Sequence, residues 1–200
     1  MKKPSFYKDL TKKVQKMFPN DYDRIREKAD EMLREMCAGE KNKPKAITMH
    51  TVDRIFPCIS IYKAIDEVNG QKEAAYEMIS DYFEEISLKT TEGIQRICRF
   101  PLIYRLAPWV AGKIIKKQFG EKSGFKMKVH HAYGKKCHID ILKCPYHQYC
   151  KFYECEELTT AFCNADDVAY SNMHPNVSWD RTKTLGRGDK YCDFIIQIDR

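Results

Sequence analysis

The 200-residue sequence predicts an α+β fold, with an N-terminal helical region packed against a C-terminal antiparallel sheet of about four strands. Two observations predict it. Apolar residues recur at helical spacing from Ser5 to Phe119, and from Gly120 onward they alternate with polar ones in short runs bounded by turns. The boundary divides the chain into a helical region, 1–119, and a cysteine-rich α+β region, 120–200, read as one integrated domain.

In the first region Asp21 can cap a helix whose Ile25, Ala29, Leu33 and Met36 share one face. The polar run GEKNKPK ends it. Ile55, Ile59, Tyr62 and Ile65 form a second stripe. Asn69-Gly70 separates it from a third helix over Glu73–Ile86, with Ala75, Met78, Ile79, Tyr82 and Phe83 in its core stripe. Helix resumes from Ile94 to Phe119, with breaks expected near Pro101 and Pro108.

In the second region FKMKVHHAY alternates, with Phe125, Met127 and Val129 on one side and Lys126, Lys128 and His130 on the other. After the turn GKK, CHIDILKC alternates through Cys137, Ile139 and Ile141, so the two runs read as an antiparallel hairpin. Pro145 can open a helix, and YHQYCKFYECEELTTAF fits a helix or a helix pair. NADDVAYSNMHPN reads as irregular. VSWDRTKTL is a third strand, GRGD a tight turn and YCDFIIQID the last strand. GRGD has neither the length nor the following Lys-Ser/Thr of a phosphate-binding loop.

Composition narrows the function classes. Apolar residues make up 43% and charged residues 32%, as in a soluble globular chain. The net charge of +7 comes from scattered lysines without a nucleic-acid motif, so no nucleic-acid partner is expected. No secretory signal is read at the N-terminus, and Leu102–Ile115 is too short and too interrupted to span a bilayer, so the expected location is cytoplasmic. Nine cysteines in a reducing compartment read as core residues, metal ligands or reactive groups rather than disulfides.

Six of those cysteines lie between Cys137 and Cys192, together with His138, His147, His174 and several aspartates. No cofactor is expected. Zinc is the alternative, with Cys144, His147 and Cys150 at short spacing, but no C-x-x-C accompanies them. Cys37, Cys58 and Cys98 suit the core. A nucleophilic role needs a thiolate beside a base or a positive field. Cys163 ends an apolar run just before Asn164, Asp166 and Asp167. Those carboxylates would raise its pKa, so activation needs His138, His147 or Arg181 nearby. Arg181 can clamp a substrate carboxylate in two hydrogen bonds or lie on the surface. Strand parity puts Cys192 with Phe194 and Ile196 on the packed side and Asp193 on the other, free to face a cavity or cap a helix.

The stretches KCPYHQYCK, ELTTAFCNADDVAY and WDRTKTLGRGDKYCDFII resemble the L-2-amino-thiazoline-4-carboxylic acid hydrolase family. They carry a Phe-Cys-x-x-Asp step, an Arg-Thr-x-Thr-Leu run and a closing Gly-x-x-x-Cys-Asp-Phe. The closing pattern is also similar, more weakly, to the four-vinyl-reductase small-molecule-binding domains. The first resemblance implies a hydrolase that opens a C–N bond of a small cyclic amidine-like substrate. Cys163, Asp166, Arg181 and Cys192 match its motif, and the chemistry of that reaction assigns Cys163 as nucleophile, Asp166 as base or orienting group, Arg181 as carboxylate clamp and His138 as proton shuttle, with Cys192 and Asp193 around the substrate. A non-catalytic module that senses a small ligand or metal is the competing reading, and an interaction protein docking through its basic N-terminal helices is the third.

Overall fold

The computed structural model describes residues 3–100 and 102–199. The helical region begins with α1 (Ser5–Met17) and α2 (Tyr22–Ala38). Then come α3 (Lys45–His50), a π-helical turn (Thr51–Ile55) that runs into α4 (Phe56–Asn69), and α5 (Lys72–Cys98). The stripes read from the sequence are the ones that pack. Ile25, Ala29 and Leu33 of α2 and Ile59, Tyr62 and Ile65 of α4 are buried in one core, which Ala75, Met78 and Ile79 of α5 complete. Asp21 stands at the start of α2 but makes no side-chain cap. Its carboxylate takes Arg24 Nη1 at 3.1 Å instead.

Two boundaries differ from expectation. α5 does not stop at Ile86 but runs on through Ile94 to Cys98, since nothing between them breaks a helix. Pro101 lies outside the described residues. Pro108 does not break a helix but sits in the first turn of α6 (Ala107–Gln118), where its missing N–H has no partner to lose. A 3-10 turn, Ile103–Leu106, leads into α6.

The sheet is antiparallel throughout, in the order β1 (Lys126–Tyr133), β2 (Lys136–Lys143), β4 (Cys192–Ile198), β3 (Val177–Asp180). Gly134, at φ 59°, lets the two-residue connection close the β1–β2 hairpin. The expected alternation of β1 is disturbed by a bulge between Val129 and His131, and Val129 is exposed. Between the hairpin and β3 lie α7 (Pro145–Phe152) and α8 (Leu158–Tyr170), the expected helix pair.

A second core forms where α6 lies across the sheet, with Ile115 against Cys137, Ile139 and Ile196. Gly112 permits that approach, because a Cβ there would lie 3.2 Å from the Cβ of Ala132 on β1. Tyr146, at the start of α7, packs on both cores. No helix among the described residues is long and apolar enough to cross a membrane.

Candidate functional site

The segment NADDVAY, read as irregular, is the second half of α8. Its polar residues hid the helix because Asp166 and Tyr170 face a cavity, Asp167 meets Arg181 and Trp179, and Asn164 meets Arg187, rather than an apolar core. Leu158 and Ala161 hold the opposite face in the core, and the buried Phe162 and Ala169 border the cavity. Cys163, Asp166 and Tyr170, at i, i+3 and i+7, therefore share one face, and all three line a cavity of about 300 Å³ between α8 and the sheet. Arg181, Cys192 and Phe194 close it from the sheet side, Cys144 and Tyr146 from α7, and Arg54 from the π-helical turn.

Strand β3 ends at Asp180, so Arg181 is not on a strand. The reason is Asp193 on β4. Its carboxylate accepts Thr182 N at 2.9 Å, Thr182 Oγ1 at 2.7 Å and Lys183 N at 2.6 Å, and so draws the chain out of the ladder. Partial burial works against ionisation of Asp193, but these donors hold it below the usual carboxylate range.

Arg181 then turns inward, its side chain only 1% exposed. Nη2 donates to Asp167 Oδ2 at 2.5 Å and to the Cys163 carbonyl at 2.6 Å, while Nη1 stands 3.5 Å from Asp166 Oδ2. Nε has no hydrogen-bond partner. The guanidinium lies 5.8 Å from the centre of the Trp179 ring and 5.6 Å from that of Phe194. Trp179 Nε1 also donates to Asp167, at 3.1 Å. Arg181 is thus largely occupied by the chain's own acceptors.

Asp166 makes only that one long contact, which leaves its carboxylate with acceptor capacity to spare. Its side chain is 39% exposed, but it lines this cavity and a second one behind it, so the exposed area is cavity wall rather than outer surface. Burial pushes it up to about 6, against the pull of Arg181 and Arg54, with Asp167 adding to the rise. Burial likewise pushes Cys163 up to about 12, partly offset by Arg181 and by the Gly186 N–H. Gly186 has to be glycine at this distance. A Cβ on it would lie 3.0 Å from Cys163 Sγ and 2.9 Å from Thr159 Cγ2. Leu185 N donates to Cys192 Sγ at 3.3 Å, so the turn Leu185–Arg187 lays its backbone against both sulfurs.

Residues 48–196 match the family described as L-2-amino-thiazoline-4-carboxylic acid hydrolase. The chain belongs to this family. The matched stretch runs from the end of α3 into β4 and so contains Arg54, Cys163, Asp166, Arg181 and Cys192. No curated protein and no solved structure matches the chain.

Of the six site residues read from the sequence of this hydrolase-family member, four come together: Cys163, Asp166, Arg181 and Cys192. Cys192 faces the packed side as parity requires, and the cavity lies on that side. His138 and Asp193 fall on the other face, because β2 turns Ile141 to the cavity and alternation turns His138 away from it. There His138 stacks on His130, with ring centres 4.4 Å apart. The proposed zinc trio does not gather either. Cys144 lines the cavity, whereas Cys150 is wholly buried in the helical core. Cys144, read from its spacing as a possible zinc ligand, lines the cavity instead, and Arg54, Tyr146, Tyr170 and Gly186 join it without having been singled out in the sequence. Tyr170 would have followed from helical spacing, but nothing in the sequence marks Arg54.

Arg181→Met leaves the half-buried Asp167 without its main cation and the Cys163 carbonyl without its donor, and is expected to cost about 1–3 kcal/mol of stability. Urea unfolding measures it. A loss under about 1 kcal/mol would mean that the ion pair is solvated.

Proposed function

We propose that the chain is a hydrolase opening a C–N bond in a small cyclic amidine-like acid, of the 2-aminothiazoline-4-carboxylate kind, in the cavity of Cys163 and Asp166. The observation that carries this reading is Asp166, a cavity carboxyl raised to about 6 with a largely unused acceptor. A base poised near neutral pH is what water attack on an amidine carbon needs.

The charges suit such a substrate at both ends. Asp167 is taken up by Arg181 and Arg187, whereas Asp166 makes one long contact and has acceptor capacity left for an amidinium. Arg54 has no carboxylate partner among the described residues, so it can take the substrate carboxylate that Arg181, already occupied, cannot. Arg54 also shares this cavity with Tyr146. It stands on a π-helical turn, a distortion frequent at functional sites.

In the proposed reaction Asp166 accepts a proton from water while the oxygen bonds to the amidine carbon. The C=N electron pair moves to the ring nitrogen, which takes that proton back from Asp166. The carbon–nitrogen bond then breaks as the new hydroxyl becomes a carbonyl, and its proton passes through Asp166 to the departing nitrogen. Water is the better nucleophile here because burial raises the Cys163 thiol to about 12 and no histidine lines the cavity. Cys163 then positions substrate beside the Gly186 N–H.

Asp166→Asn should lower kcat on 2-aminothiazoline-4-carboxylate by about 10²–10⁴-fold. Unchanged turnover would remove Asp166 from the chemistry. Cys163→Ser should keep kcat within about tenfold, whereas its abolition would restore the thiol as nucleophile. The rate should also fall about tenfold per pH unit below about 6, as the base becomes protonated. Stability should move the other way. A carboxyl with a raised folded pKa binds its proton more tightly when folded, so its ionisation costs stability as pH rises from the unfolded value through about 6. Asp166→Asn should therefore raise Tm at pH 8 and lose that advantage near pH 4.

A further inference from the structure

We propose that His130, His138 and Asp140 form a binding site for a divalent metal of the zinc type, on the sheet face turned away from the helices. The bulge between Val129 and His131 takes His130 out of register with β2. His130 Nε2 lies 2.6 Å from Asp140 Oδ2, and His138 Nε2 lies 3.5 Å from Oδ1. The three ligand atoms all fall within 4.8 Å of one another. Two imidazoles aimed at the two oxygens of one carboxylate are more than a structural hydrogen bond requires.

Asp140 is itself only 8% exposed, and its Oδ1 is buried without a hydrogen-bond partner. Its strand neighbours do not neutralise it. Asp193 stands directly opposite on β4, an unfavourable pairing of like charges, and Lys128, opposite on β1, makes no ion pair among the described residues. A cation held by Asp140 resolves this. Zinc–ligand bonds of about 2.0–2.2 Å separate the ligands of one ion by roughly 3–4 Å, so the present separations, from 2.6 Å to within 4.8 Å, have to adjust by about 1 Å or less. Two histidines and one carboxylate also leave a coordination position open.

The test uses the full chain, reduced and stripped with chelator, and titrates it with Co²⁺ and then Zn²⁺. The expected result is one Co²⁺ per chain without thiolate charge-transfer absorption, displaced by Zn²⁺, with a rise in Tm on zinc binding. His138→Ala should weaken binding at least about tenfold, as should His130→Ala at its more exposed position. Absence of binding below millimolar metal overturns the site. So does binding that survives both variants, or a thiolate absorption band, which would assign the ion to cysteines.

The structure also assigns a docking role to the surface formed by the end of α5, the 3-10 turn and α6, with an anionic lipid bilayer as its partner. Between Glu92 and Glu121 the sequence has no acidic residue and six basic ones. Ile97, Ile103, Leu106, Val110 and Ile114 are 38–58% exposed and line the mouth of the second cavity, of about 310 Å³, so they lie together on one face. Trp109, on the same helix as Val110 and Ile114 and 41% exposed, has Lys113 Nζ 3.9 Å from its ring centre. An exposed apolar face in a stretch that holds a tryptophan, six basic residues and no acidic one has the composition of an interfacial segment, and the charge selects anionic headgroups.

Co-sedimentation of the full chain with vesicles checks this. Vesicles containing phosphatidylglycerol should capture it, salt should weaken capture, and pure phosphatidylcholine should not bind. Leu106→Asp with Val110→Asp should reduce capture more than about tenfold. No capture by anionic vesicles overturns the proposal, as does capture that the double variant leaves intact. A dimer in gel filtration that the double variant dissociates also overturns it, since a second copy then covers the face. None of these readouts depends on hydrolase activity.

Discussion

The cavity depends on one buried cation. Arg181 has almost no access to solvent, and its donors reach α8 at the Cys163 carbonyl and at Asp167. A guanidinium taken out of water must recover its hydration from fixed acceptors, and those acceptors lie on the helix that carries Cys163 and Asp166. Satisfying Arg181 therefore fixes the distance between α8 and the end of β3. Asp193 acts from the other side by pulling Thr182 and Lys183 out of the ladder, which frees Arg181 to turn inward. One aspartate shapes the chain and another neutralises the charge, and Asp166 is left to face the cavity.

The same arrangement explains what the sequence could reveal. Stripes such as Ile25–Ala29–Leu33 and alternations such as Cys137–Ile139–Ile141 report burial, so the helical region and the four strands were legible. Cys163, Asp166, Arg181 and Cys192 were legible as one group through the family motifs they occupy. Burial patterns fail where a helix lines a cavity, because polar side chains such as Asp166 then stand on an inward face, and this is why α8 looked irregular after Phe162. The parity argument sorted Cys192 and Asp193 onto the correct faces. It could not say which face held the cavity, because that is set by α6 and α8 lying on the side of Ile139 and Ile196. His138 is displaced from the site by the same rule. Arg54 belongs to a π-helical turn, whose hydrogen bonds leave no trace in residue type.

The two faces of the sheet thus have different chemistry. The inner face joins thiols, aromatics and one carboxyl in a partly dry space. The outer face carries His130, His138 and Asp140, brought together by a bulge in β1. Neither cluster shares a side chain with the other, although Asp193 touches the history of both, as the neighbour of Asp140 and the anchor of the turn that releases Arg181.

The two cavities share a wall made of Phe119, Asp166, Tyr170 and Phe194. Asp166 therefore borders a polar chamber on one side and an apolar one on the other. Water that enters the apolar chamber can solvate its negative charge. A greasy molecule that displaces this water removes that support, and the carboxyl then holds its proton to higher pH. Occupancy of one room is thereby written into the protonation state of the other, with no change in the fold.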